Sequence, residues 1–422
     1  MAKFIITSGK KLAGFVVISG AKNAALKMLA ATILSKYPCK ISNVPNISDI
    51  RVMLDILKSI GAKVKFSNGI VDIDPSDIDS YCPDPNLVKQ MRASIVLAGP
   101  LLARFGKAKI AKPGGCVIGA RPVYIHWRAL EKMGVKVTET KQFTILETKN
   151  LHGKIVVLDE MSVTATENLL MLATLTPGKT IIRLAAAEPE IADLADMLNL
   201  MGAKISGAGT HDIKVVGVKK LAKLNNYTVL PDRIEAGTFA ILGAINGNIT
   251  IKNIIPHHLD MFLNKLEQAG AKFKLKYHNR QAADLIFSKP GRLHPIKINT
   301  RTYPGYPTDL QAPLAVLLTQ CPRTSKIFET MYDNRLKYLQ ELKKMNGKIN
   351  VLDSHTAEIS GPTKLKGAKI TSYDLRAGAT LLLAALIASG TTEIDNIETI
   401  DRGYENIEQK LRNLGANIKR IK

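Results

Sequence analysis

Aromatic residues are scarce in this 422-residue chain, at 5% with a single tryptophan. A protein that reads nucleic acid by stacking needs them in RNP-type clusters, and no such motif, zinc finger or basic-region heptad occurs. Cysteine is scarce too. The four thiols, Cys39, Cys82, Cys116 and Cys321, lack metal-ligand or redox spacing, which excludes a disulfide-stapled secreted scaffold and points to a reduced, cytoplasmic protein. The longest apolar stretch, around Ala377 to Ala388, is Ala-rich and shorter than the roughly 18 residues that span a bilayer. The first ten residues carry no apolar core of signal-peptide length. Acids are in deficit, 36 against 59 bases, for a net charge of +23. Two readings follow: a basic surface for nucleic acid or membrane, or a pocket that gathers anionic small molecules. Lys and Arg are dispersed with acids between them, which favours the second.

What is present is a 46% hydrophobic composition over a length too great for one core, so two or more domains are expected. A short phrase recurs: Ile60-Gly61-Ala62-Lys63-Val64, Met133-Gly134-Val135-Lys136-Val137, Met201-Gly202-Ala203-Lys204-Ile205, Ala269-Gly270-Ala271-Lys272-Phe273, Met345-Asn346-Gly347-Lys348-Ile349 and Leu414-Gly415-Ala416-Asn417-Ile418. With Gly347 as the fifth glycine the steps are 73, 68, 68, 77 and 68. Each phrase closes an amphipathic segment, so it reads as a helix ended by glycine and followed by a strand. A second set of segments, rich in small apolar residues, begins near Lys22, Arg92, Ser162, Arg233, Asp309 and Asp374. These segments are apolar nearly all round and read as buried helices that pack closely.

The chain therefore reads as six α/β units, each with a buried helix, an amphipathic helix and about four strands. Six units divide into two three-unit domains, with Asn225 to Pro231 as the crossover. The expected division is 22–229 for one domain and 1–21 plus 230–422 for the other, the sixth unit ending on a strand that pairs with the N-terminal strands.

The residues at helix starts carry the chemical signal. Acids there are explained as caps. A cation at the positive end of a helix is unfavourable unless an anion joins it. Lys22, Arg92, Arg121, Arg335 and Arg402 all read as such cations, which points to a phosphate-rich ligand. The most informative stretch is Lys112-Pro113-Gly114-Gly115-Cys116-Val117-Ile118-Gly119-Ala120-Arg121-Pro122-Val123. Its glycines describe a loop rather than a core strand. Free cysteines are commonly buried and inert, but one between glycines and five residues from an arginine suits an exposed, electrostatically tuned thiol.

Together with Ser19-Gly20-Ala21-Lys22-Asn23-Ala24-Ala25-Leu26, Met91-Arg92-Ala93-Ser94, Pro307-Thr308-Asp309-Leu310-Gln311-Ala312, Asn334-Arg335 and Ile400-Asp401-Arg402-Gly403-Tyr404-Glu405, this stretch resembles the UDP-N-acetylglucosamine 1-carboxyvinyltransferase family. Those enolpyruvyl transferases are related to the 5-enolpyruvylshikimate-3-phosphate synthases. The resemblance runs from the N-terminal strand to Leu414-Gly415-Ala416. It implies two inside-out α/β barrels of three units each, with helices inside, strands outside, and helix N-termini facing an interdomain cleft. It also implies transfer of enolpyruvate from phosphoenolpyruvate to the 3-hydroxyl of UDP-N-acetylglucosamine, through a tetrahedral ketal and with release of phosphate. That reaction is the first committed step of peptidoglycan synthesis.

The resemblance assigns roles residue by residue. Lys22, Asn23, Arg121, Arg402 and Cys116 meet phosphoenolpyruvate. Cys116 is the general acid near C3 and forms a covalent adduct; a thiol suits this because its ordinary pKa of about 8.5 lies near working pH. Alkylation of Cys116 by the epoxide fosfomycin is implied. Asp309 is the base for the sugar hydroxyl, and on its residue type alone it reads equally as a helix cap. The nucleotide sugar falls to Asn23, Arg92, Arg121, Pro122, Val123, Tyr124, Ile125, Ser162, Val163, Thr164, Asp309 and Met331. Arg335 and Arg376 are cleft residues that act on closure. No metal, organic cofactor, nucleic acid, membrane or obligatory protein partner is implied. Tyr124 replaces a common aspartate and Thr164 a frequent glycine in the nucleotide pocket. Ala187, the Asn346-Gly347 pair and Pro313 are further departures. Two rivals remain open: an enolpyruvyl transferase with another nucleotide-sugar or phosphorylated acceptor, and a non-catalytic basic binding protein.

Overall fold

The structure, a computed structural model, describes residues 2–9, 11–112, 114 and 123–421. These fall into two compact units, one drawn from residues 20–112, 114 and 123–230, the other from residues 2–9, 11–19 and 231–421. Each unit holds three sheets. Five of the six sheets repeat one rule. A parallel pair comes first, as in Leu224–Thr228 beside Cys39–Ser42, and two antiparallel strands follow, here Ile70–Asp74 and Lys63–Ser67. The sheet of Lys107–Ala111, Phe143–Glu147 and Lys136–Glu139 shows only antiparallel strands among the described residues. The N-terminal strand Lys3–Thr7 pairs with the C-terminal strand Asn417–Ile421, so one sheet joins the two ends of the chain.

The fold class is the one expected, with helices inside and strands outside. In the first unit, helices Lys22–Ala31, Ala98–Phe105 and Val163–Leu175 bury most of their residues. In the second, Arg233–Asn246 and Leu375–Ile387 both pack on Thr308–Leu318. Strands alternate buried and open positions, as in Lys3–Thr7, so one face of each sheet covers the helices and the other meets water. Each leucine or isoleucine so enclosed contributes about 1.5–3 kcal/mol. Small residues set the helix spacing. A side chain at Gly99 would lie 2.3 Å from the Asn168 carbonyl oxygen, so only glycine lets Ala98–Phe105 approach Val163–Leu175 so closely.

All six amphipathic helices end in the same Schellman turn. In the first, Ala62 N–H reaches Leu57 O and Gly61 N–H reaches Lys58 O, both at 3.0 Å. The pattern recurs at Val135/Leu130, Ala203/Leu198, Ala271/Leu266, Gly347/Leu342 and Ala416/Leu411. The left-handed residue is glycine in five copies, with φ between +86° and +107°. In the fifth it is Asn346, at φ +70°, and not the expected Gly347. Asparagine tolerates this conformation better than most residues, and a bond from its side chain to Lys364 O at 3.2 Å, 18 positions away, holds it in place. Asn346→Ala should therefore cost about 1 kcal/mol and Asn346→Gly should not, as denaturant unfolding would show.

Candidate active site

In the first unit, Gly20 sits where a side chain would collide with Asn43 O at 1.7 Å. This close passage leads into the Lys22–Ala31 helix, whose cap residue Ala21 offers no side-chain acceptor. Lys22 is the first helical residue, as expected. Its ammonium stands 3.3 Å from Asp49, a carboxylate buried in the first turn of Ser48–Ser59. An anion therefore does join this cation, and the protein supplies one itself. Asn23 follows on the same turn, half-buried.

Arg92 opens the 3-10 turn Arg92–Leu97 and is half-buried. Burial and then the Arg92 charge push the pKa of His126 down to about 3, so this imidazole is neutral at physiological pH. Its Nε2 lies 3.0 Å from Thr164 Oγ1 and its Nδ1 3.1 Å from Asn168 Nδ2. Thr164 belongs to the start of Val163–Leu175, where Ser162 is the cap and accepts from Ala165 N–H at 3.4 Å. Ser162, Val163 and Thr164 are all half-buried. Val123 is the cap residue of Tyr124–Lys132; Tyr124 is exposed, whereas Ile125 is buried in the core. Cys116, Arg121 and Pro122 lie outside the described residues.

The second unit brings three of the expected residues into direct contact. Asp309 accepts from Arg335 Nη2 at 2.5 Å and from Arg376 Nε at 3.1 Å. Both guanidiniums are almost fully buried, while the Asp309 side chain keeps 27% of its exposure. Burial opposes the Arg335 charge, but Asp309, Asp374 and Glu329 outweigh it and raise its pKa. For Arg376, Tyr404, Asp309 and Asp232 likewise outweigh burial. Asp374 caps Leu375–Ile387 through Arg376 and Ala377 N–H, and lies 3.9 Å from Arg335.

Three expectations about helix starts are corrected. Asp309 is not a cap: Pro307 holds that position without a side-chain bond, and Asp309 is the second helical residue, turned toward the arginines. Arg335 lies in the turns before Leu339–Lys344. Arg402 is the C-cap of the short helix Glu398–Asp401, the end at which a cation is favourable without any ligand. The helix-start pattern among the described residues thus reduces to Lys22 and Arg92.

Sequence reasoning missed several groups. Met331 N–H donates to Glu329, a buried carboxylate that also accepts from Thr300 and Thr308 at 2.8–2.9 Å. Lys27 and Glu167 form a buried ion pair at 3.4 Å. Burial pushes the thiols of Cys39 and Cys321 up to about 11 and about 12, so neither is a reactive thiolate. Among the described residues no group of three His, Cys, Asp or Glu could hold a metal ion. Among the described residues no helix is long and apolar enough to cross a membrane.

Against known proteins, residues 6–411 match the family model of EPSP synthase (3-phosphoshikimate 1-carboxyvinyltransferase). The chain is 47% identical to UDP-N-acetylglucosamine 1-carboxyvinyltransferase 2 of Carboxydothermus hydrogenoformans, with 100% of both chains covered. It is 45% identical to UDP-N-acetylglucosamine 1-carboxyvinyltransferase of Thermodesulfovibrio yellowstonii, again covering 100% of both. The fold is shared with the enolpyruvyl transferase NikO from Streptomyces tendae, at 24% identity and a TM-score of 0.88 over 99% and 98% of the two chains. EPSP synthase from Acinetobacter baumannii shares it at 17% identity and 0.77, over 100% of each. Matched along nearly its whole length by the family model and by relatives approaching half identity, the chain belongs to the enolpyruvyl transferase family, on its UDP-N-acetylglucosamine 1-carboxyvinyltransferase branch.

Proposed function

We propose that this protein transfers the enolpyruvyl group of phosphoenolpyruvate to the 3-hydroxyl of UDP-N-acetylglucosamine and releases phosphate, in the cytoplasm, as the first committed step of peptidoglycan synthesis. The carrying observation is 47% identity over the whole chain to a protein bearing that name. In the addition step the sugar oxygen bonds to C2, the hydroxyl proton passes to Asp309, and Cys116 delivers a proton to C3. In the elimination step C3 gives up a proton, the C2–O bond to phosphate breaks, and the double bond reforms. Lys22, Arg121 and Arg402 hold the phosphate and carboxylate of phosphoenolpyruvate through charge-assisted bonds, roughly twice as strong as neutral ones. Asn23, Arg92, Met331 and the segments 121–125 and 162–164 hold the nucleotide sugar, and Arg335 and Arg376 orient Asp309.

The support for the base role is geometric. A carboxylate offers about four lone-pair directions, and the two guanidiniums take one on each Asp309 oxygen. The side chain is still partly open, at 27% of its exposure, so a substrate hydroxyl can reach the carboxylate while the two arginines hold it. Phosphate release from phosphoenolpyruvate, with and without UDP-N-acetylglucosamine, tests the activity. No release with any acceptor, alongside salt-sensitive retention of nucleic acid, would favour a basic binding protein. Release with other nucleotide sugars only would favour the rival acceptor, a reading supported by exposed Tyr124 in place of an aspartate. Fosfomycin should label and inactivate the wild type, and Cys116→Asp should abolish labelling, read by intact mass; labelling that persists removes Cys116 from the role.

A further inference from the structure

The buried polar chain of Asn168, His126 and Thr164 has a fixed direction. The Asn168 amide is oriented by the backbone: Gly99 N–H donates to Oδ1 at 2.7 Å, and Nδ2 donates to Ile95 O at 3.1 Å. The second Nδ2 hydrogen faces His126 Nδ1 at 3.1 Å, so that ring nitrogen must be an acceptor. The neutral ring then carries its proton on Nε2 and donates to Thr164 Oγ1 at 3.0 Å. One Thr164 Oγ1 lone pair accepts this bond, and among the described residues nothing takes its own hydroxyl proton. The residue is half-buried in the first turn of a 13-residue helix, where main-chain N–H groups also seek acceptors.

We propose that Asn168 and His126 are positioning residues which direct the Thr164 hydroxyl to donate its hydrogen bond to an acceptor oxygen of the bound nucleoside diphosphate. This rests on the acceptor substrate proposed above. Thr164 then reads the polarity of its partner. The ring N–H takes one of the two hydroxyl lone pairs and the Thr164 proton cannot point back at the ring, so a partner oxygen without hydrogen is favoured over a group that can only donate. A buried ring with Nδ1 protonated would turn this off, because its N–H would meet the Asn168 amide hydrogens.

Nitrogen NMR of the ligand-free chain tests the relay, with Nε2 protonated and Nδ1 bare from about pH 5 to 8. Calorimetric binding of UDP-N-acetylglucosamine, whose diphosphate diester does not titrate in that range, tests the donor. Thr164→Val should weaken binding about tenfold and Thr164→Ser should restore it to within about twofold. Asn168→Asp keeps the acceptor for Gly99 but turns only acceptors toward the ring. His126 then takes a proton on Nδ1, and the Kd, level with pH in the wild type, should become pH-dependent. A wild-type ring protonated on Nδ1, or equal affinity in wild type and Thr164→Val, would overturn the inference. The spectrum needs no ligand, so the failures separate: the expected ring in a chain that binds no UDP-N-acetylglucosamine overturns the proposed acceptor, and the ligand half of this inference with it.

Discussion

Replacing Asp309 by asparagine is expected to lower kcat about a thousandfold while changing nucleotide-sugar affinity only a few-fold. General-base contributions run from about a hundredfold to ten-thousandfold, and asparagine keeps the shape of the side chain but cannot take the sugar proton. It also keeps one acceptor oxygen for either Arg335 or Arg376, which hold the two Asp309 oxygens at 2.5 and 3.1 Å. The other guanidinium is left with an amide N–H in place of a carboxylate oxygen, so a stability loss of about 1–3 kcal/mol should accompany the lost activity. The two effects are separable. Asp309→Glu keeps charge and basicity but displaces both, so it should recover stability better than kcat. Steady-state phosphate release, calorimetric binding and denaturant unfolding on the same samples read all three quantities. Full turnover in Asp309→Asn would end the base assignment, and lost turnover with lost nucleotide binding would recast Asp309 as a binding group.

The fold was legible because its signals are local and repeated. A glycine after each amphipathic segment, recurring near every 70 residues, located the Schellman turns, and Ser162 and Asp374 cap helices as their types suggest. Errors came where one local signal had two physical meanings. An asparagine substitutes for glycine at positive φ, which displaced the fifth turn by one residue to Asn346. A cation between two helices can close the first or open the second; Arg402 closes Glu398–Asp401, five residues before Ile407–Asn413. The contacts that position polar groups were not legible. Lys22 meets Asp49 across 27 positions, His126 meets Asn168 across 42, and Asp309 meets Arg376 across 67. Such pairs form where helices distant in sequence pack against one another, and no spacing rule along the chain encodes that.

Removing the Lys27 charge should be the costliest single substitution for stability, and its cost should grow with pH. Glu167 is completely enclosed and pairs with Lys27 at 3.4 Å. Burial pushes its pKa up to about 7 from an ordinary 4.5; Lys27 opposes that rise, and Glu190 and Glu188 add to it. A carboxyl that holds its proton more tightly when folded favours the folded state below pH 4.5, and loses that contribution as pH rises toward 7. The span corresponds to about 3 kcal/mol. In Glu167→Gln the titration is gone, so this variant should gain on the wild type by about that amount between pH 4.5 and 7. Lys27→Met removes the charge that favours the ionised form of Glu167. Its loss should approach the 3–5 kcal/mol typical of a broken buried pair at pH 8 and be much smaller at pH 5, where Glu167 is protonated. Denaturant midpoints for the three proteins across this range provide the measurement. Parallel profiles for wild type and Glu167→Gln would show that Glu167 does not titrate there, and that the pair stays ionised throughout.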